Sequence, residues 1–330
     1  MGVRATPELE ILHSFPIKAD SLVAQDPDIA FDGGNFMVVW SEGGFPGEHK
    51  VKAARVTTEG VVLDSGTLFG MGAYMEYKPV IDFDGDRYLT VWYNYNGVPY
   101  GVFGRFINTQ CEPEGREFAI RLSDISYAFE PDIAFGNESY LVVWQELSLQ
   151  YDDNVYGQIV SMTGELIGDV IPIATTSEYQ SYPRIGTGTL HYLVVWEQES
   201  KIYGQWVSMS GELIGKNFAI SDSCYYNRGN PDIAFGNNNC LCTWKEYHTD
   251  NNDIYGNLDI LMQIKEEQVK PVKNYYGVST IINGPLILPD DKKCRVYDIA
   301  GRTVDVNQLA PGIYFVEIDG KLTHKVIKIR

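Results

Sequence analysis

Five copies of one unit run through most of this chain, and they restrict it to folds in which like elements stack on one another. Proline opens an apolar segment at Pro27, Pro79, Pro131, Pro183 and Pro231, and a second apolar segment ends in tryptophan at Trp40, Trp92, Trp144, Trp196 and Trp244. Successive copies lie 52, 52, 52 and 48 residues apart in both series. A repeat of this length is one supersecondary unit whose apolar faces stay wet unless neighbouring copies cover them, which leaves solenoids and propellers.

Within a copy the pattern is of four short strands. The third copy reads PDIAF, YLVVWQE, VYGQIVS and DVIPIA, and the fourth reads PRIGT, YLVVWEQ, IYGQWVS and NFAIS. Runs rich in Val, Ile, Tyr, Phe and Trp, bounded by Gly, Asn, Asp and Pro, are strands joined by tight turns, and no helical period competes. Four strands per unit is the blade of a propeller. The fifth copy lacks a fourth strand after Tyr255-Gly256-Asn257, while the segment from Leu12 to Asp20 resembles the fourth strands at Glu117–Ile120 and Asn217–Ile220. The expectation is an all-β chain in which residues 1–262 form a five-bladed propeller closed by an N-terminal strand. An aromatic at one fixed place in every blade is core, so the tryptophans are read as packing. The glycine of Tyr156-Gly157, Tyr203-Gly204 and Tyr255-Gly256 is read as letting neighbouring backbones approach closely.

Residues 263–330 break the period. Their alternating strands and Pro311-Gly312 turn predict a small antiparallel sandwich. The tail carries VYDIAGR from Val296, then LAPGIYFVEI from Leu309, then KVIKIR at the end. In order and position these motifs resemble the C-terminal sorting domain of type IX secretion cargo, with Asn283-Gly284-Pro285 standing where that family more often has Asn-Pro. The resemblance implies contact with the secretion machinery through residues 263–330, passage through a Gram-negative outer membrane, and a place at the cell surface or outside it. It also implies a signal peptide. MGVRATPELE has no apolar core of that kind, so the leader is expected to be missing from this chain.

A net charge of -18 argues against nucleic acid, because little here would neutralise a phosphate backbone. No apolar run is long enough for a membrane span. The five cysteines, Cys111, Cys224, Cys240, Cys242 and Cys294, lack metal-ligand spacing and read as small core residues, with a pairing by Cys224 left open. Asp82-Phe83-Asp84-Gly85-Asp86 resembles an oxygen-rich calcium loop, but its counterparts in other copies are plain hairpin turns, so no cofactor is expected and calcium is the one metal left open.

Function is sought where the repeat is broken. The residue before each proline varies as Asp26, Lys78, Glu130, Tyr182 and Asn230, and these five should ring one mouth of the channel. Asp26 and Glu130 would be the carboxylate pair if the protein were a glycoside hydrolase. The loops between second and third strands vary most, and Glu42, Asn94, Tyr95, Glu146, Tyr151, Glu197, Glu246 and Tyr247 mix aromatic rings with carboxylates and amides. That mixture suits sugars, whose apolar faces stack on rings while their hydroxyls bond to polar groups. The leading reading is a non-catalytic module for glycans or surface polymers, with several equivalent weak sites. The alternatives are the hydrolase and a protein-binding scaffold.

Overall fold

The computed structural model describes residues 1–5, 10–18, 22–44, 49–64, 66–68, 75–95, 100–148, 152–222, 227–236, 239–248 and 252–258, and in the tail 281–282, 288, 293–298, 302–306, 309–310, 312–318 and 321–328. Among the expected features, Tyr151, Cys224 and Asn283-Gly284-Pro285 lie outside these residues. The chain divides into two compact units, Met1–Gln263 and Ile264–Arg330.

The first unit contains five antiparallel sheets, one per repeat, with strands in chain order from the inside out. The inner strands are Val23–Phe31, Met75–Phe83, Ser126–Gly136, Gln180–Thr187 and Asn227–Phe235. Sheets two to four are complete, with outer strands Pro113–Ser123, Leu166–Ala174 and Leu213–Ala219. The outer strand of the first is only Thr67–Leu68, and the fifth sheet has three strands among the described residues. This is the five-bladed propeller the repeat predicts.

Each sheet presents one face to the blade before it and one to the blade after it. Between blades two and three, Leu89, Val91, Val102 and Ile120 meet Tyr140, Val142, Trp144 and Val160. Between three and four, Leu141, Val155 and Ile173 meet Tyr192, Val194 and Trp196, and the pattern repeats between four and five. All five tryptophans are buried, as core. The glycine of the third strand makes room for side chains of the outer strand: a Cβ on Gly157 would stand 2.9 Å from Ile173, and one on Gly204 would stand 2.8 Å from Ile220. The nearest neighbour is therefore an isoleucine side chain and not the backbone the sequence suggested, with the ladder shifting register at that point.

Cys240 and Cys242 pack between blades four and five, where burial pushes their thiols up to about 11 and about 12. They are inert packing residues.

The N-terminal segment reaches its place from the side of blade one. Ile11–Phe15 pairs with Gly2–Ala5, and Phe15 and Ile17 lie on Val38, Trp40, Ala54 and Val56 of the first sheet. Phe15 has the neighbours that an outer-strand residue of a preceding blade should have. The hairpin glycine of blade one, Gly60, abuts Phe15, just as Gly164 abuts Phe118 and Gly211 abuts Ile171. No ladder joins this segment to Asn252–Asn257 among the described residues. On blades five and one, Ile254 is 73% and Ile29 is 55% exposed, although their counterparts Val155 and Ile133 are buried.

In the second unit, Cys294–Asp298, Gly312–Ile318 and Lys321–Lys328 form an antiparallel meander, and Ile281–Ile282 pairs parallel to the last of them. The described residues make one sheet here, with Val296, Leu309, Tyr314 and Val316 as its core.

If Phe15 covers the free face of blade one, Phe15→Ala should lower unfolding free energy by about 2 kcal/mol, less than a fully buried Phe→Ala because the ring is half-buried. Denaturant melts would measure this, and an unchanged midpoint would show that the segment is only draped on the surface.

Candidate functional site at the channel mouth

All five residues before the repeated prolines have left-handed backbone: φ is 52° at Asp26, 50° at Lys78, 48° at Glu130, 52° at Tyr182 and 49° at Asn230. None is glycine, and such a conformation costs on the order of 1 kcal/mol or more at each. At each place the inner strand slips register against the second strand, between Gln25 and Asp28 in blade one and at the matching positions elsewhere. The bulge carries the pre-proline side chain and the proline toward the axis. A cavity of about 780 Å³ lies on the axis and is lined from all five blades. The sequence expectation of a mixed polar ring is met in position.

The ring is tied together by charge. Lys78 Nζ stands 3.3 Å from an Asp26 oxygen and 3.7 Å from Glu130, and Arg184 lies 4.0 Å from Glu130. The two carboxylates of the hydrolase alternative thus share one ammonium between them. One tier deeper are Asp28 and Asp132, not singled out from the sequence, and Asp82, read there only as part of a calcium-like loop. Asp28 accepts a bond from the Ile81 N–H at 2.8 Å, Asp82 from Phe135 at 2.6 Å and Asp132 from Ile185 at 2.8 Å, each a link to the following blade. Burial raises all three above the ordinary carboxylate range, and Asp132, with Asp28 acting in the same direction against the nearby Arg184, is pushed up to about 7. The available signal was the alternation Asp28, Val80, Asp132, Arg184, Asp232 after the prolines.

The loop residues chosen from the sequence separate into two groups. Glu42 and Glu146 turn inward and accept the indole N–H of Trp40 and Trp144, each at 3.0 Å. Residues two apart on a strand share a face, so a carboxylate two places after the tryptophan meets its ring nitrogen. Glu146 is also gripped by Arg121 at 2.6 Å and by Ser126 at 2.6 Å. Burial alone would raise it, but these bonds outweigh burial and bring it below its usual value. Glu246 is buried against Arg228 at 2.7 Å. These three glutamates hold the framework together and offer no ligand surface. Tyr247 is exposed and accepts a bond from Asn230 at 3.1 Å. Glu197 lines a shallow acidic cavity with Glu178 and Glu199, and burial raises its carboxyl.

Asn94, two places after Trp92 and opposite Glu76, is buried on the strand face toward blade one, whereas Tyr95 falls in a different setting. A strip of rings runs beside the mouth: His49 to Tyr77 is 4.7 Å between centroids, Tyr77 to Tyr93 5.9 Å, Tyr77 to Tyr95 6.2 Å and Tyr93 to Phe129 6.3 Å. Tyr77 and Phe129 each immediately precede a ring residue, Lys78 and Glu130. At its end the strip opens into a cavity of about 360 Å³ between blades two and three, where Tyr100 and Tyr127 stand 4.1 Å apart. Sequence reading singled out Tyr95 of this strip and passed over Tyr77 and Phe129, because they lie in the inner strand, where an aromatic looks like core.

The calcium reading finds its three aspartates divided. Asp84 accepts the N–H groups of Asp86 and Arg87 at 2.9 and 2.8 Å, the same turn that Asp32 makes with Gly34 and Asn35, while Asp82 links blades. No group of three metal-ligating side chains occurs among the described residues.

No family model matches the chain, and no curated protein matches it. Among solved structures it is similar to an endo-arabinanase from Bacillus licheniformis at 13% identity and TM-score 0.43, covering 73% of this chain and 95% of that one. It is also similar to an endo-arabinase from Bacteroides thetaiotaomicron at 13% and 0.46, covering 74% and 97%, and to an α-L-arabinofuranosidase from Lactobacillus brevis at 8% and 0.47, covering 74% and 91%. The assignment of the propeller rests on the sheets themselves.

Two outcomes follow from these bonds. Glu146→Ala strands the Arg121 guanidinium and the Trp144 N–H, so it should cost about 3 kcal/mol in denaturant melts, with Glu146→Gln costing clearly less. Asp132 has a folded pKa above that of an unfolded aspartate, so the folded state holds the extra proton. Its contribution to stability therefore declines as pH rises from about 4 toward 7 and is flat above. Asp132→Asn should flatten that part of a stability profile measured from pH 4 to 8, and an unchanged slope would show that Asp132 is ordinary.

Proposed function

We propose that this chain is an exported binding module. In this reading the propeller holds a glycan or similar surface polymer on the face that carries the pre-proline ring, and residues 263–330 serve as a type IX sorting domain that delivers it to the cell surface. The observation that carries the binding half is the strip of rings beside a polar, salt-bridged mouth. Aromatic faces with carboxylates, amides and hydroxyls at their edges match a sugar's apolar face and hydroxyl rim. Lys78 between Asp26 and Glu130 favours holding over hydrolysis. The delivery half rests on the three tail motifs and their order at the chain end.

The test is a polysaccharide panel presented to the full chain and scored for retained protein and for released reducing sugar. Retention without release is the expected result. Release that vanishes in the Asp26→Ala, Glu130→Ala double variant would replace the binding module with a hydrolase. If the panel yields neither, the glycan reading fails and a protein partner takes its place.

A further inference from the structure

We propose that the N-terminal segment is a strap that closes the ring between blades five and one, adding to the outer edge of Asn252–Asn257 as the fourth strand of blade five. The need for closure is visible on both blades. The inner-strand isoleucines Ile81, Ile133, Ile185 and Ile233 are each buried in the joint with the preceding blade, and their counterpart in blade one, Ile29, is 55% exposed. The third-strand residues Val51, Val102, Val155 and Ile202 are each buried in the joint with the following blade, and their counterpart in blade five, Ile254, is 73% exposed. Four joints cover these faces, and the fifth leaves one residue on each side in water, a loss of apolar burial that closure recovers.

Phe15-Pro16-Ile17 matches the outer strands of the complete blades residue by residue. They carry Phe118-Ala119-Ile120, Ile171-Pro172-Ile173 and Phe218-Ala219-Ile220. The middle residue of each faces an aromatic of the third strand: Ala119 pairs with Phe103, Pro172 with Tyr156 and Ala219 with Tyr203. Proline is accepted at this place because the neighbouring residue makes the ladder bond, as the Ile220 N–H does to the Ile202 carbonyl at 2.8 Å, so that the middle N–H is turned away. The same register sets Pro16 opposite Tyr255 and sends Ile17 to Gly256. A Cβ on Gly104, Gly157 or Gly204 would meet an outer-strand isoleucine at 3.2, 2.9 or 2.8 Å, whereas the nearest atoms to one on Gly256 belong to Leu241, Cys242 and Thr243 of its own blade.

The blade-one half of the contact already exists. Phe15 and Ile17 lie on Trp40 and Val56 as Phe118 and Ile120 lie on Trp144 and Val160, and the hairpin glycine Gly60 abuts Phe15 as Gly164 abuts Phe118. Ile11–Phe15 belongs to a two-stranded sheet with Gly2–Ala5, and Asn252–Asn257 is the last strand of its sheet, so the two meet edge to edge. Closure has a consequence at the mouth. Asp26 stands on blade one and Asn230 on blade five, so the strap fixes the spacing of two of the five ring residues, and this goes beyond the binding role proposed above and does not depend on it.

Paired thiols test the strap on the full chain. The double variant Pro16→Cys, Tyr255→Cys places its thiols on a cross-strand pair that makes no ladder bond of its own, with Cα atoms about 4.5 Å apart, a separation a disulfide accepts. After mild oxidation with copper phenanthroline, the expected result is a monomer in which peptide mapping finds positions 16 and 255 joined and whose melting midpoint rises. A double-mutant cycle gives a second readout. Gly256→Ala should lower the midpoint because its methyl group meets Ile17, and that loss should largely vanish in an Ile17→Ala background, while Gly204→Ala and Ile17→Ala simply add. If the thiol variant does not fold, the cycle carries the test. A folded thiol variant that forms no such bond, a bond that joins two chains, or additive losses at Ile17 and Gly256 would each overturn the strap.

Discussion

Every blade here is a sheet with two apolar faces, and the structure depends on each face meeting the next blade. A four-stranded sheet cannot bury both of its own faces, so the repeat has no stable form shorter than an arc of several blades. The tryptophan in the second strand is the centre of this contact, and the carboxylate or amide two residues later keeps its indole N–H bonded inside the joint. Trp40 has Glu42, Trp144 has Glu146 and Trp196 has Gln198 at 3.1 Å. Each such pair removes a buried donor that would otherwise weaken the joint. In blade five the Trp244 N–H has no partner among the described residues, and this blade carries an exposed apolar side chain at Ile254.

The pre-proline bulge separates two demands that usually compete. The backbone at those five positions is set by register and by the proline that follows, so the left-handed conformation recurs whatever side chain is present. The side chain itself points to the axis and is free to vary. An acid, a base, an acid, a phenol and an amide therefore occupy equivalent backbone positions, and the cost is the local strain of five non-glycine residues. A site built on this plan can change chemistry without disturbing the joints, since the joints lie in the strands outside it.

The blade count, the strand order within each blade and the core role of the tryptophans were legible in the sequence because they repeat. So was the ring of residues before the prolines. What was not legible is which polar groups face inward. Glu42, Glu146 and Glu246 sit at the start of variable loops and carry charge, both marks of a surface, and only the placement of Trp40, Trp144 and Arg228 beside them shows otherwise. The converse applies to Tyr77 and Phe129, which look like core in the strand pattern and stand in the aromatic strip. Burial in a propeller is decided across blades, by residues one repeat away, and a strand's own alternation does not report it. The fourth strand of blade five is an intermediate case. Gly256 keeps the slot that Gly157 and Gly204 use for an outer-strand isoleucine, and Phe15-Pro16-Ile17 repeats the pattern of Phe118-Ala119-Ile120. The packing of Phe15 and Ile17 against blade one agrees with that pattern, while their backbone pairing is local.

Asymmetry imposed on a symmetric scaffold decides how such a protein can recognise anything. A property shared by all five blades yields either framework or a ring of like groups around the axis, and in that ring Lys78 bridges Asp26 and Glu130. A cleft away from the axis needs a junction whose two blades both depart from the repeat. Blade two departs at Tyr93, Tyr95 and Tyr100, and blade three at Tyr127 and Phe129, and the two sets meet across one joint. In a scaffold otherwise built from repeated solutions, a joint where both blades depart from the repeat is where recognition can vary without disturbing the fold.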